Sequence, residues 1–251
     1  MQSKKKTSWE PVSKWYKDTV GKEGHYYHQS VIFPRLLKIF GKVDSLLDIA
    51  CGQGVLAGHL SKEITYEGVD ISPSLIKAAK QQHKQEKRQF HVGDATKPLP
   101  VSKKDFSHAT IILAIQNIAD PLKAFKNAYA HLKAGGLFFI VLNHPCFRIP
   151  RQSSWGIDEN KKLQYRRVDR YQTSMEIPIQ AHPGQGDKSP ETVSFHHPLM
   201  NFTQWLFEAG FVIEVIEEWC SDKVSTGSAA KMENRSRDEI PMFMTIRARK
   251  L

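Results

Sequence analysis

The chain is poor in cysteine. Its three, Cys51, Cys146 and Cys220, stand far apart in 251 residues and form no C-x-x-C pair. An odd, scattered set argues against a disulfide framework and against a zinc site, so no metal is expected and a reducing cytoplasm is predicted. Long apolar runs are missing too: none approaches the roughly 20 residues that a membrane helix needs. The start, Met1-Gln2-Ser3-Lys4-Lys5-Lys6, carries bases but no apolar stretch after them, which predicts no secretory signal. Acid is the minority charge, 26 Asp and Glu against 36 Lys and Arg, for a net charge of +10. Such an excess can favour nucleic acid, but these bases are dispersed over Lys4 to Lys6, Lys77 to Arg88, Lys161 to Arg170 and Arg235 to Lys250. A solvated basic surface is the plainer reading. No aromatic-rich RNA-binding segment occurs, and no DNA partner is expected.

What is present is a hydrophobic fraction of 40%, enough for a proper core, and a length that suits one α/β domain with elaborations. The chain is organised around Leu46-Leu47-Asp48-Ile49-Ala50-Cys51-Gly52-Gln53-Gly54. A short apolar run breaks into two glycines, and a helix-like segment follows from about Val55 to Lys62. That order, buried strand, tight turn and helix start, presents backbone N–H groups to a ligand. Gly52-x-Gly54-x-x-Ala57 also satisfies a dinucleotide fingerprint. Asp48 separates the readings. A dinucleotide would bring two phosphates to the turn, where an acid repels them. A ligand with an ammonium and a sulfonium, such as S-adenosylmethionine, would be attracted, so an NAD-dependent oxidoreductase is disfavoured.

Residues 8 to 41 read as helical with a break at Gly21-Lys22-Glu23-Gly24, and Val31, Ile32, Leu36, Leu37 and Phe40 lie near helical spacing. Strands are predicted at 45–50, 67–71, 89–92, 105–115 and 137–142. Ser72-Pro73 and Asp120-Pro121 open the second and third intervening helices, the first of these continuing to about Arg88. Lys133-Ala134-Gly135-Gly136 is expected to close the other with a glycine cap. Strands alternating with helices imply a parallel sheet covered on both faces, with ligands at the carboxyl ends of the strands. Asp48, Asp70, Asp94 and Leu113 fall at or near those ends. Asp70 lies 18 residues beyond Gly52, where an acid can accept hydrogen bonds from ribose hydroxyls; Asp94 reads equally as an adenine contact or as a local Asx-turn. From 143 to 195 periodicity fades, and an insertion over the pocket mouth is expected. A helix at 199–209 and strands at 211–219 and 242–248 complete the count, the last two pairing antiparallel.

With these residues in view the chain resembles the class I S-adenosylmethionine-dependent methyltransferases. The match rests on Leu47-Asp48-Ile49-Ala50-Cys51-Gly52-Gln53-Gly54, Gly68-Val69-Asp70-Ile71-Ser72, Gly93-Asp94-Ala95 and Leu132-Lys133-Ala134-Gly135-Gly136. The resemblance implies a Rossmann-like sheet of seven mostly parallel strands, helices on both faces and the last strand antiparallel. It divides one domain into an N-terminal helical cap (1–42), a cofactor-binding core (43–143), a lid-like insertion (144–197) and a C-terminal helix with an antiparallel hairpin (198–251). By the same resemblance Asp48, Ala50, Gly52 and Gly54 would hold the methionine part. Asp70 and Ile71 would take the ribose, Asp94 and Ala95 the adenine, and Leu113 and Ala114 would sit beside the sulfonium. Tyr26-Tyr27-His28, Asn143-His144-Pro145 and Phe195-His196-His197-Pro198-Leu199 point more loosely to the branch that methylates small molecules. After strand four the chain has Leu113-Ala114-Ile115-Gln116 and no Asn-Pro-Pro-Tyr or Asp-Pro-Pro-Tyr, which argues against methylation of exocyclic base or glutamine nitrogens and leaves O-, C- or other N-methylation open.

If the acceptor must lose a proton, histidine is the usual base near neutral pH. The candidates are His196, then His144 and His28. Tyr27, Gln116, Tyr165 and His197 are candidate acceptor contacts, the tyrosines by stacking. Arg148, Arg151, Arg166 and Arg167 read as solvated arginines or as contacts to an acidic acceptor. The rival from another class is an RNA-associated or non-catalytic adenosylmethionine-binding protein that uses its positive surface.

Overall fold

The computed structural model describes residues 9–251; the basic run Lys4 to Lys6, the predicted absence of a signal and the predicted helix start at residue 8 lie outside them. In chain order the elements are α1 (Ser13–Val20), α2 (Phe33–Phe40), β1 (Ser45–Ile49), α3 (Val55–Gly58), β2 (Thr65–Asp70), α4 (Pro73–Gln82), β3 (Arg88–Val92) and β4 (Phe106–Ile112). There follow α5 (Pro121–His131), β5 (Leu132–Asn143), β6 (Ser153–Asp158), β7 (Leu163–Val168), β8 (Met175–Gln180) and β9 (Glu191–His196). The chain closes with α6 (Leu199–Glu208), β10 (Phe211–Trp219), α7 (Ala230–Glu239) and β11 (Phe243–Lys250).

Seven strands form one sheet in the order β10-β11-β5-β4-β1-β2-β3, and β11 alone runs against its neighbours. The expected Rossmann-like sheet is therefore present, with the order reversing between β1 and β4. Alternation along the central strands feeds two cores. Phe138, Ile140 and Leu142 of β5 pack with Phe125, Ala128 and Leu206 on one face, while Phe139 and Val141 pack with Leu36, Phe40 and Phe33 on the other. The predicted apolar face of the N-terminal helical region is thus buried.

Local chemistry explains the helix starts. The Ser72 hydroxyl accepts from Leu75 N–H at 3.2 Å and Asp120 Oδ1 accepts from Lys123 N–H at 3.2 Å, each with proline at the first helical position. Several elements differ from expectation, among them α3, which ends at Gly58 and not at Lys62. The helix after Ser72 stops at Gln82 instead of Arg88, because the chain must reach β3, whose pairing with β2 starts at Arg88. Gly135 and Gly136 do not cap α5: Leu132 already has extended backbone, and the glycines lie within β5, at the register shift between its two contacts with β4. The stretch expected to be irregular contains two antiparallel hairpins, β6–β7 and β8–β9, each a separate two-stranded sheet. Their alternation was masked in sequence by half-buried polar residues.

Gly68, the partner of Asp48 across β1 and β2, leaves room for two neighbours. A Cβ there would lie 2.7 Å from Cys51 Sγ and 2.9 Å from Phe90 Cδ1. Gly68→Ala is expected to lower stability by about 1–3 kcal/mol through overpacking, read as a fall in urea midpoint at unchanged slope.

Candidate cofactor and acceptor site

At the carboxyl ends of β1, β2, β3 and β4 lies a cavity of about 500 Å³. It opens where the strand order reverses, the place at which open α/β sheets bind ligands. Roughly 300–1,000 Å³ is the range for small-molecule pockets. Of the predicted cofactor residues, Ala50, Gly52, Asp70, Ile71, Asp94, Ala95, Leu113 and Ala114 line it. Two of these take a backbone conformation that side chains disfavour: Ala50 (φ 59°) and Leu113 (φ 50°), at the ends of β1 and β4. Strain of this kind, about 1–3 kcal/mol each, collects at ligand sites because the surroundings over-determine it. Gly54 has φ 77° and caps α3, so it shapes the turn from outside the cavity wall.

Asp70 is the keystone of the wall. Its Oδ2 accepts from Gly52 N–H and its Oδ1 from Ser72 N–H, both at 2.8 Å. One carboxylate thus ties the glycine turn after β1 to the start of α4. Burial pushes the Asp70 carboxyl above its ordinary range, against the two backbone donors. Asp94 spends Oδ1 on the Thr96 N–H and hydroxyl, both at 2.8 Å, so the Asx-turn is made and the residue still lines the cavity.

The structure places Asp48 elsewhere than expected. It is 3% exposed and absent from the walls of the large cavity. The Tyr66 hydroxyl donates to its Oδ2 and the Thr110 hydroxyl to its Oδ1, both at 2.7 Å, so both oxygens are engaged within the sheet. It lines a cleft of about 40 Å³ with Cys51, Gln53 and His28. Burial raises its carboxyl to about 6, so it is ionised at neutral pH.

Three wall residues carried no signal in the sequence. Trp9, Glu10 and Tyr16 come from the N-terminal segment. Glu10 accepts from the Ser72 and Ser74 hydroxyls, pinning that segment to the start of α4. The Tyr16 hydroxyl lies 3.6 Å from where a Cβ on Gly52 would stand. Only the i, i+7 spacing of Trp9 and Tyr16, whose rings are 5.7 Å apart, hinted at a shared face.

The histidines separate. His196 and His197 share a cavity of about 30 Å³ with Gln116, Asn143 and Arg148. The Tyr171 carbonyl is 2.7 Å from His196 Nε2, which must therefore carry the proton and leave Nδ1 as an acceptor. His144 has both nitrogens engaged: Nδ1 accepts from Cys146 N–H at 3.2 Å and Nε2 donates to Glu218 Oε1 at 2.6 Å. No lone pair remains on it for an acceptor's proton. His28 packs on Phe33 in the cleft beside Asp48. Nor do the tyrosines reach the site. Tyr27 bonds Ser221 at 3.1 Å and packs edge-on against Phe243, and Tyr165 of β7, 44% exposed, covers Gly156 of β6.

The fold is the Rossmann-like one of class I S-adenosylmethionine-dependent methyltransferases, with the cavity at the place where such sheets bind ligands. Residues 47–140 match the family profile described as a methyltransferase domain. Over 103 residues it is 34% identical to a ubiquinone biosynthesis O-methyltransferase of Coxiella burnetii, covering 39% of this chain and 43% of that one. Over 130 residues it is 32% identical to norajmaline N-methyltransferase of Rauvolfia serpentina, covering 49% and 44%. The match thus spans less than half the length of these curated relatives. A solved S-adenosylmethionine-dependent methyltransferase from Mesorhizobium loti superposes with a TM-score of 0.69 at 22% identity, over 92% of this chain and 100% of that one, which shows the fold.

Burial lowers His28 and His197 from the ordinary 6.5 to about 4. Each is neutral when folded while the unfolded chain takes up a proton below 6.5, so stability is full above 6.5 and falls as pH drops toward 4. Asp48, raised from 3.8 to about 6, contributes in the opposite direction between those values. Urea midpoints measured from pH 7 to pH 4 should fall in wild type, and His28→Leu should flatten that slope.

Proposed function

We propose that the protein transfers a methyl group from S-adenosylmethionine to a small-molecule acceptor. The observation that carries this reading is the sign of charge on the large cavity. Its described walls include Glu10, Asp70 and Asp94 and no Lys, Arg or His, in a chain of net charge +10. Acids gathered against the overall balance suit a cationic nucleoside and repel a diphosphate. Ile71, apolar and 46% exposed on the same wall, offers a face for a flat base. The RNA-associated reading draws on net charge alone and finds no basic wall here to meet phosphate.

Asp70 and Gly52 would hold the ribose and methionine side, Asp94 and Ala95 the adenine, with Leu113 and Ala114 near the sulfur. When bound, adenosylmethionine supplies a methyl on a positive sulfur that departs as a neutral thioether. Positioning the acceptor is then the protein's main contribution, worth several kcal/mol. His196 Nδ1 takes the acceptor's proton where one must leave, its ring fixed by the Tyr171 carbonyl. The hairpin β8–β9 contributes on the acceptor side, where β9 brings His196 into the small cavity with Gln116. The relatives named above methylate oxygen and nitrogen, and both remain within this proposal.

Calorimetry tests the reading. Adenosylmethionine and its demethylated product should bind and NAD should not; absence of heat with both nucleosides would reject it. Asp70→Ala should weaken adenosylmethionine by about tenfold or more, the loss expected for a charge-assisted contact. His196→Ala should lower turnover by about a hundredfold or more at unchanged cofactor affinity. If affinity falls instead, His196 belongs to binding and not to proton transfer.

A further inference from the structure

Segment 113–117 contributes to two cavities. Leu113, Ala114 and Asn117 line the large one, and Gln116 lines the small one with Arg148 and His197. Three buried polar atoms of those three residues lack a hydrogen-bond partner: Gln116 Oε1, Arg148 Nε and His197 Nε2. A buried polar atom that nothing meets keeps its full desolvation cost, which a ligand of matching polarity removes. They come from the turn after β4, the loop after β5 and the chain just beyond β9, so no single local packing fault accounts for them.

Their polarity is legible. Gln116 Nε2 donates to the Leu113 carbonyl at 2.8 Å, which fixes Oε1 as an acceptor in need of a donor. The Arg148 Nε–H needs an acceptor. Among the described residues no carboxylate pairs with Arg148; its guanidinium lies 5.1 Å over the Trp155 ring. Burial and neighbouring Arg166 pull Arg148 down to about 10, still a cation at neutral pH. His197 Nδ1 is held by the Ser174 hydroxyl at 3.1 Å, so its ring is oriented. The other charged or titratable lining residue, His196, is neutral and bound to Tyr171.

We propose that the small cavity recognises the head group of the methyl acceptor as a carboxylate, met by Arg148, beside a hydroxyl or amine donor, met by Gln116 Oε1. Calling that ligand the acceptor rests on the methyltransferase reading above. A guanidinium is the natural partner of a carboxylate, and its flat fork is already held on an aromatic face. About 30 Å³ is room for a carboxylate-sized group or roughly two waters, since one water needs about 10–15 Å³. Only a head group enters, and the body of the acceptor stays outside. The chemical class is an acid with a hydrogen-bond donor on the neighbouring carbon.

The probes are mandelate, phenylacetate, which lacks the hydroxyl, and methyl mandelate, which lacks the charge. Each is titrated calorimetrically into the full chain with and without S-adenosylhomocysteine. Mandelate should bind, and the other two should bind about tenfold more weakly or worse. Arg148→Met should erase the acid–ester difference and Gln116→Met the mandelate–phenylacetate difference, both with S-adenosylhomocysteine affinity unchanged. Equal binding of all three, or no mandelate binding at millimolar concentration, overturns the proposal and leaves water as the occupant. Should a variant fail to fold, the ranking on wild type decides. If mandelate ranks as stated while S-adenosylhomocysteine does not bind, the head-group site stands and the methyltransferase reading falls; the reverse pattern separates the two the other way.

Discussion

One carboxylate holds the site together. Asp70 accepts from Gly52 on one side and Ser72 on the other, and those two N–H groups belong to separate turns. The glycine turn takes its shape from positive φ at Ala50, Gly52 and Gly54, a run that an isolated chain would not hold. Tying its centre to the start of α4 converts a strained loop into a fixed wall. Glu10 repeats the device one layer out, bonding the hydroxyls of Ser72 and Ser74 and bringing the N-terminal segment over the cavity. Asp48 works from beneath, braced by Tyr66 and Thr110 inside the sheet. Three acids are thus used as structural acceptors, and two of them, Glu10 and Asp70, stand on the wall of the cavity.

How far the sequence discloses this depends on the range of the interactions. The order of the sheet was legible because each parallel strand is a short apolar run with a turn behind it, and Ser72-Pro73 and Asp120-Pro121 announce their helices by local hydrogen bonds. Eight cofactor-side positions were legible for the same reason: strand ends are local features, and the parallel topology gathers them at one rim. What was not legible is long-range. Asp48 was placed at the rim because charge was the argument, but its neighbours Tyr66 and Thr110, 18 and 62 positions away, claim both its oxygens. Trp9, Glu10 and Tyr16 are brought in by docking of the N-terminal segment through Glu10 to Ser72 and Ser74, more than 60 positions away. The histidines share a residue type and not a role: Glu218 and Cys146 remove His144 from contention, and the sequence gives no sign that they meet.

The insertion shows a related limit. Strands β6 to β8 face partners outside the main core, so their inner positions include Ser153, Gln164 and Pro178 beside the usual apolar residues. Periodicity read from hydrophobicity alone fades in such hairpins, although the backbone pattern is regular. What they contribute is placement. β9 delivers His196 to the cavity under Gln116, and the loop after β5 delivers Arg148.

Two cavities of opposite character therefore meet at residues 113–117. The larger presents Glu10, Asp70 and Asp94 without a base; the smaller presents Arg148 and neutral histidines without an acid. A methyl donor that is positive at sulfur and ammonium is repelled by the second and drawn to the first, and a carboxylate behaves in the opposite way. On the proposed assignment, separation by sign would keep the two ligands from occupying each other's places, since a misplaced ligand would meet like charge as well as lost contacts. Leu113 sits at that junction with left-handed backbone, its N–H bonded to Val141 and its carbonyl to Gln116. The strain there is the cost of turning the chain so sharply that one short segment can face both chambers.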